Sequence, residues 1–162
     1  MENGTIKGNY LLFYNGVFSN FYPCEFTIDG IEFNCSEQYF MYKKALYFDD
    51  KIIADSILQQ RFPSSQKSLG RKVKNFDPDI WMVVCEQVMF EACFAKFSQN
   101  QDLKEIMLKY QGFNFVEASP YDKIWGIELD EKDPKAEFPK FWRGLNLLGK
   151  VLDNVLLELS NG

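Results

Sequence analysis

The chain of 162 residues has a formal net charge of −5, and 46% of its residues are hydrophobic. This length and apolar content predict a well-filled core and exclude a disordered chain, while the acidic balance argues against an extended cationic surface for nucleic acid. The chain contains no His, which excludes Cys–His and Ser–His nucleophile pairs and most zinc sites. General acid or base chemistry therefore falls to Asp, Glu, Lys, Tyr or Cys.

Short strands are predicted in the N-terminal part of the chain. Residues 10–14, 25–28 and 31–34 are rich in β-branched and aromatic side chains. The last two are joined at Asp29-Gly30, which is a strong signal for a two-residue hairpin turn. Together these segments predict a small antiparallel sheet.

Helices follow, at about 36–48, 50–60, 64–73, 77–97, 101–110 and 145–159. The longest begins at Asp77-Pro78 and is apolar nearly all round, which predicts a central core helix. Residues 113–117 are predicted to be extended, and 119–141 form a long Pro-containing loop. The expected fold is a mainly helical α+β domain with a small antiparallel sheet, spanning residues 1–162 as a single domain.

The four cysteines are expected to be reduced thiols. Cys24, Cys35, Cys85 and Cys93 have no CxxC spacing. The first twenty residues show no signal pattern, and no apolar run approaches the roughly 18 residues that span a bilayer. A cytoplasmic, reducing location is the expectation.

The stretch CSEQYFMYKKALYF, residues 35–48, places a carboxylate and an ammonium on one helix face. With Ser36 as N-cap, Glu37 and Lys44 align two turns apart, roughly 10 Å along the axis, too far for a direct ion pair. A first-turn glutamate is ordinarily exposed and favoured by the helix dipole. Here the apolar neighbours Phe40 and Met41 favour a partly desolvated carboxylate with a raised pKa, suited to proton transfer.

The segment PSSQKSLGRK, residues 63–72, is a candidate phosphate site. With Ser64 or Ser65 as N-cap, Lys67 and Arg71 lie one turn apart on one face, and two such cations can bind a phosphate. The alternative is a solvated basic face.

The loop EASPYDKIWGIEL, residues 117–129, is a candidate base-binding segment. Trp125 beside Gly126 forms a stacking platform, and Asp122 is an acid able to bond a ribose or activate water. The alternative is a tryptophan that plugs the edge of the core. The segments FSNFYP and FWRGLNLLG place further polar or aromatic side chains where a loop meets a helix or strand. These candidate substrate-binding residues are Asn20, Phe21, Trp142 and Asn146.

In order, the motifs FSNFYP, SEQYFMYKKA, QKSLGR, Trp81, KFSQN, VEASPYDKIWG and WRGLNLLG resemble the NADAR family, also called the YbiA-like proteins. The resemblance covers nearly the whole chain. It implies an α+β, mainly helical domain that acts on N-glycosidic bonds of ribosyl compounds. Some members resemble enzymes that cleave phosphoribosylamino intermediates of riboflavin synthesis, and others remove ADP-ribose from guanine modified by a toxin.

The resemblance assigns the family's functional positions to the residues Glu37, Lys44, Lys67, Asp122 and Trp125. Two positions depart from the family pattern. Gln38 stands where members commonly carry His, which puts any mechanism needing an imidazole there in doubt. Glu128 stands where a second glycine is expected after the Trp-Gly pair, and it alters the rim of the pocket in width or charge.

The mechanism implied is cleavage at ribose C1′. Glu37, with Asp122, is expected to stabilise the oxocarbenium-like state and orient water, while Lys44 faces the leaving group or a phosphate. Lys67 and Arg71 are expected to hold phosphate and Trp125 to stack on the base. In a variant mechanism Lys44 or Lys67 attacks the ring-opened sugar as an amine.

The expected ligand is a ribosyl phosphate, an ADP-ribose-containing small molecule or an ADP-ribosylated nucleic acid, and neither a cofactor nor a metal is expected. The resemblance also admits a toxin as a partner. The rival hypothesis is a non-catalytic module that reads ADP-ribose or a related nucleotide. A general nucleic-acid binder is disfavoured by the charge balance.

Overall fold

The computed structural model describes residues 3–162, which fall into two compact units. The terminal unit comprises the chain up to Ser19 together with Gln101–Gly162, and the middle unit comprises Asn20–Asn100. Among the helices of residues 3–162, none combines the length and apolarity that crossing a bilayer requires.

In chain order the strands are β1 (Thr5–Lys7), β2 (Tyr10–Phe13), β3 (Phe26–Ile28), β4 (Ile31–Phe33) and β5 (Asn114–Glu117). The helices are α1 (Ser36–Tyr47), α2 (Lys51–Leu58), α3 (Pro63–Gly70), α4 (Pro78–Gln99), α5 (Gln101–Leu108) and α6 (Leu147–Asn161). Two 3₁₀ turns, Pro134–Glu137 and Pro139–Phe141, lie in the predicted long loop. The prediction of a mainly helical α+β fold is confirmed.

The terminal unit contains a three-stranded sheet in the order β1-β2-β5. Strand β1 is antiparallel to β2, whereas β5 pairs with β2 in parallel, with Leu11 opposite Phe115 and Leu12 opposite Val116. These four side chains are fully buried. The prediction that residues 10–14 share one antiparallel sheet with the 25–34 hairpin is therefore wrong, because a strand about a hundred residues away supplies the matching apolar run.

Side chains of α6 and its N-cap protect the outer side of β5. Asn146 accepts a hydrogen bond from the Glu117 N–H at 3.0 Å and donates one to the Phe115 carbonyl at 3.1 Å. Asp153 accepts the Phe115 N–H at 2.8 Å, and burial raises the pKa of this carboxyl. The edge strand is thus satisfied without a further strand, as exposed sheet edges require.

The middle unit begins with the predicted β3-β4 hairpin, in which Ile28 faces Ile31. Asp29 and Gly30 both have positive φ angles, 51° and 79°, as a type I′ turn requires. Phe33 packs edge-on against Tyr39 of α1, with ring centroids 5.0 Å apart. The hairpin prediction is confirmed, and its apolar face is buried on α1.

The helix starts differ in part from prediction. The N-cap of α1 is Cys35, so Ser36 is the first helical residue, and within the described residues its hydroxyl has no hydrogen-bond partner. A backbone carbonyl replaces the side-chain cap, because Asn20 accepts the Glu37 N–H at 3.1 Å.

The start of α3 also differs, and the start of α4 agrees. Helix α3 is capped by Phe62 and begins at Pro63, because proline is preset for the first helical position. Its N-cap therefore lies two or three residues before the predicted Ser64 or Ser65. Asp77 caps α4 as predicted by accepting the Asp79 N–H at 2.9 Å.

Helix α4 is buried on one face only. Trp81, Cys85 and Met89 lie inside, whereas Val83 is 83% exposed. In the middle unit it packs on α1 and β3. The prediction of a core helix thus holds for its inward stripe and is wrong for the apolar residues on the opposite face.

All four cysteines are free, and three are buried. Burial raises the pKa of the Cys35 thiol to about 12, so this sulfur is neutral and unreactive at ordinary pH.

Candidate active site

Helix α1 carries the two groups around which the candidate site is built. Glu37 in the first turn is 5% exposed, and Lys44 in the last is 9% exposed. Burial lowers the pKa of the Lys44 ammonium; the Glu37 carboxylate acts in the opposite direction, and the positive charge of Arg71 lowers it further. The desolvated ammonium of Lys44 and the buried carboxylate of Glu37 therefore interact electrostatically.

Close packing of α3 against α1 brings further cations to this region. Gly70, near the end of α3, leaves no room for a side chain, because a β-carbon there would collide with the Met41 side chain of α1. Arg71 follows directly and acts on Lys44 electrostatically. The glycine in the QKSLGR motif therefore lets the two helices approach closely, because a side chain there would have to displace Met41.

The segment before the hairpin contacts the same helices. The Asn20 carbonyl holds the Glu37 N–H, and its side chain lies 4.0 Å from the Cys93 sulfur of α4. Phe21 is partly exposed, and the Lys67 ammonium lies over its ring, 5.7 Å from the centroid.

The middle unit therefore contains six of the predicted site residues linked by contacts or electrostatics, namely Asn20, Phe21, Glu37, Lys44, Lys67 and Arg71. A buried carboxylate coupled to Lys44, with the charge of Arg71 acting on the same lysine, can stabilise a positive charge on a ligand that also carries negative groups. This combination suits an anionic sugar derivative better than a neutral one.

The other five predicted residues lie in the terminal unit. Asp122 accepts the backbone N–H groups of Ile124 and Trp125, both at 2.9 Å, and so shapes the turn that presents the Trp125 ring. Gly126 is buried, and a β-carbon there would lie 2.9 Å from the Glu117 carbonyl. In this unit the acid of the D-x-x-W-G motif positions the tryptophan, and the glycine permits the turn to pack on β5. Their part in binding or catalysis stays a prediction.

Trp142 and Asn146 have structural partners in the terminal unit. The Trp142 indole donates a hydrogen bond to the Ala136 carbonyl at 2.7 Å, and its ring meets Tyr10 edge-on. Asn146, at φ 53°, uses both polar atoms of its side chain on the β5 backbone. Their predicted role in substrate binding is untested, and the contacts described here account for their positions in the fold.

Gln38, which departs from the family pattern, is engaged in structure. Its amide oxygen accepts the Asn34 N–H at 2.8 Å, and its amide nitrogen donates to the Ile57 carbonyl at 3.1 Å. The side chain thereby joins the end of β4 to the end of α2. These hydrogen bonds use the neutral amide of Gln38, which has no ionisable group.

Glu128 is the second departure from the family pattern, and it lies in the left-handed region with φ 56°. Side chains other than glycine and asparagine are strained there. The glycine expected from the family pattern is thus explained by backbone conformation.

Two further side chains of the middle unit, Lys96 and Phe76, were not predicted as site residues from the sequence. Lys96 of α4 is 1% exposed, and burial lowers the pKa of its ammonium. Phe76 lies with its ring against the Lys44 ammonium, 4.2 Å from the centroid. A lone lysine in an apolar helix is a sequence signal for Lys96, whereas no pattern indicates Phe76.

Comparison with known proteins places this arrangement in context. The sequence model of the NADAR domain matches residues 12–160. Protein irg-1 of Caenorhabditis elegans is 45% identical, covering 93% of this chain and 79% of irg-1. N-glycosidase R617 of Acanthamoeba polyphaga mimivirus is 40% identical, covering 88% of this chain and 86% of R617. The NMR structure of the Escherichia coli protein YbiA, which is named an N-glycosidase, matches with a TM-score of 0.78 at 27% identity, covering 98% of this chain and 89% of YbiA.

Proposed function

Because the chain belongs to the NADAR domain family, we propose that it hydrolyses the bond between a base and a phosphorylated or ADP-linked ribosyl group. Its relatives R617 and YbiA are named N-glycosidases. The chain is accordingly a hydrolase acting on N-glycosyl bonds. Its substrate is either ADP-ribosyl-guanine in nucleic acid or a phosphoribosylamino intermediate of riboflavin synthesis, and product analysis separates the two.

The observation that carries this proposal is the pairing of Glu37 with Lys44 on α1, both nearly buried and electrostatically coupled. Cleavage at ribose C1′ develops positive charge on the sugar and negative charge on the leaving nitrogen. A fixed carboxylate stabilises the first charge, and an ammonium that releases its proton readily neutralises the second. Burial lowers the pKa of Lys44 and so favours this proton transfer.

Lys67 and Arg71 are proposed to bind the phosphate of the substrate. Both are cations from the end of α3, and Arg71 is exposed while Lys67 is half-buried. Charge-assisted bonds from such groups orient a phosphate and hold the attached sugar in place. Asp122 and Trp125 keep their assignments from the resemblance as predictions, to be tested by separate substitution.

A covalent route is the alternative within the same reaction class. Ring opening of the intact substrate makes C1′ an imine of the base nitrogen, and a desolvated amine at Lys44 would add to this carbon and expel the base as its amine, leaving a lysine Schiff base of the sugar. Water would then hydrolyse the Schiff base and release the sugar as its aldehyde. Borohydride would trap the sugar on the lysine before this hydrolysis. Direct attack by water leaves no such adduct.

The test is product analysis on two substrates. The protein is incubated with DNA bearing ADP-ribosylated guanine and, separately, with the phosphoribosylaminopyrimidine, and sugar release is followed by mass spectrometry. ADP-ribose released from the DNA alone supports an antitoxin-type repair hydrolase, and ribose phosphate alone supports a metabolite N-glycosidase. If both substrates remain intact while ADP-ribose binds, a non-catalytic reader replaces the hydrolase.

A further inference from the structure

The chain that leads into α6 is hydrogen-bonded to the turn that carries Trp125. The N–H groups of residues 145–148 donate to the four carbonyl groups of residues 123–126, at distances of 2.9 to 3.1 Å. The pairs, donor first, are Leu145 with Lys123, Asn146 with Gly126, Leu147 with Ile124, and Leu148 with Trp125. Each carbonyl of the turn is therefore held by the start of α6.

These bonds also satisfy the start of the helix. The first N–H groups of a helix have no partner inside the helix and are usually capped by a side chain or by water. Asn146, the N-cap of α6, makes no side-chain cap. The carbonyl groups of the turn take this role, so the helix and the turn fix each other.

Gly144 allows this close approach. A β-carbon on Gly144 would collide with the Gly126 carbonyl oxygen and would lie 2.9 Å from the Cα and carbonyl oxygen of Lys123. These are backbone atoms, which cannot turn aside as a flexible side chain can. The φ angle of Gly144 is not positive, so a side chain is excluded by the contact and not by the backbone conformation.

The backbone of Trp125 is fixed from both sides. Its N–H donates to Asp122 at 2.9 Å, and its carbonyl accepts the Leu148 N–H at 3.1 Å. The turn continues onto β5 through the Ile127 N–H, which donates to the Glu117 carbonyl at 3.0 Å. A backbone held at both of its polar groups limits where the attached indole ring can lie.

We propose that Gly144 is a positioning residue for base binding: by letting the start of α6 dock on the turn, it holds the Trp125 ring in the orientation that stacks on the base of the ligand. This inference rests on the proposed function, in which Trp125 receives the base. Gly144 belongs to the WRGLNLLG motif but has no predicted role in the site, and it acts here without touching the ligand. A ring already held in place binds a base more tightly, because binding then requires no ordering of the ring.

The test compares two ligands that differ in the base. Guanosine 5′-monophosphate and ribose 5-phosphate are titrated against the whole protein by calorimetry. Trp125→Leu should weaken guanosine monophosphate binding at least about fivefold, as loss of a base–aromatic stack does. Gly144→Ala displaces the ring without removing it, so it should weaken this binding by at least about threefold. Neither variant should change the affinity for ribose 5-phosphate by more than about twofold, because this ligand has no base to stack.

The double variant shows whether Gly144 acts through Trp125. Once the indole is absent its position no longer matters, so adding Gly144→Ala to Trp125→Leu should weaken guanosine monophosphate binding by less than about 1.5-fold. The indole N–H signal of Trp125 in the NMR spectrum, assigned with Trp125→Leu, is a second readout. It should move in Gly144→Ala before any ligand is added.

Val151→Ala is the matched control for a loss of stability alone. Val151 is a buried residue of α6, 2% exposed, and it follows the docked residues 145–148. Its truncation should lower the midpoint of urea denaturation, as Gly144→Ala does. It should leave both affinities and the Trp125 indole signal unchanged.

Amide hydrogen exchange on the unmodified protein tests the docking even if Gly144→Ala does not fold. The N–H groups of residues 145–148 should exchange slowly without ligand. Exchange at the rate of an unstructured chain until guanosine monophosphate is added would overturn the inference. Equal weakening of the two ligands in Gly144→Ala, additive losses in the double variant, or an unmodified protein that binds guanosine monophosphate no more tightly than ribose 5-phosphate would also overturn it.

These measurements need no turnover. If the unmodified protein hydrolyses no ribosyl substrate but shows the base-dependent, non-additive losses, the proposed function fails and the positioning role stands. If hydrolysis proceeds and Gly144→Ala binds guanosine monophosphate as the unmodified protein does, the positioning role fails and the proposed function stands.

Discussion

Replacing Glu37 by Gln tests the core of the proposed reaction. The substitution keeps the size of a side chain that is 5% exposed and removes only its charge. At an effective dielectric constant of about 20, a unit charge about 5 Å from the developing oxocarbenium ion contributes roughly 3 kcal/mol. Loss of that energy corresponds to about a hundredfold lower rate. Ligand affinity in the ground state should stay near the unmodified value.

The structure adds a second readout for Glu37→Gln. Because the Glu37 carboxylate raises the pKa of Lys44 against the effect of burial, its removal should lower the pKa of Lys44 further. Titration of the carbon-13-dimethylated lysines by NMR, assigned with Lys44→Arg, measures this shift without turnover. The rate is measured in single-turnover experiments with mass-spectrometric detection of the released sugar.

Glu86→Gln provides the matched control, since Glu86 is an exposed carboxylate of α4 in the same unit. It should change neither the rate nor the pKa of Lys44. A Glu37→Gln rate within about threefold of the unmodified protein would refute the reasoning, because a carboxylate needed for charge stabilisation cannot be lost at so small a cost.

Three further predictions concern stability. Glu128→Gly should raise the free energy of unfolding by about 1 kcal/mol, because glycine adopts the left-handed backbone conformation without strain. Glu128→Ala should give no such gain. Urea denaturation compares the two variants, and equal effects would disprove the strain at this position. Gln38→Ala should lower the free energy of unfolding by about 1 to 3 kcal/mol, since it removes the acceptor of the Asn34 N–H while the Ile57 carbonyl keeps the Gln60 N–H, and the pH profile of hydrolysis should keep its shape. The folded-state pKa of Lys96 lies below its unfolded value of about 10.5, so between these values the unfolded chain binds more protons and stability rises with pH. Lys96→Met should lose this rise, which urea denaturation measures at successive pH values below 10.5, and an unchanged slope would contradict it.

The local elements and several of their ends follow from short-range patterns in the sequence. The Asp29-Gly30 pair specified the hairpin because both residues tolerate the positive φ angles of its turn, 51° and 79°. Asp77-Pro78 specified the start of α4, because a capping carboxylate and a preset proline act within one turn. The ordered motifs also identified the family, because residue type and spacing are local properties of a chain.

The pairing of the elements and the burial of polar groups depend on the tertiary structure. Strand β5 joins β2 in parallel across about a hundred residues, and no local pattern encodes that choice. The Glu37 N–H is satisfied by the Asn20 carbonyl, so the expected Ser36 cap does not form. Phe76 reaches Lys44 through a turn at Asn75 that a buried aspartate supports. Burial and electrostatic environment are properties of the assembled fold, because they depend on neighbours brought together from distant parts of the chain.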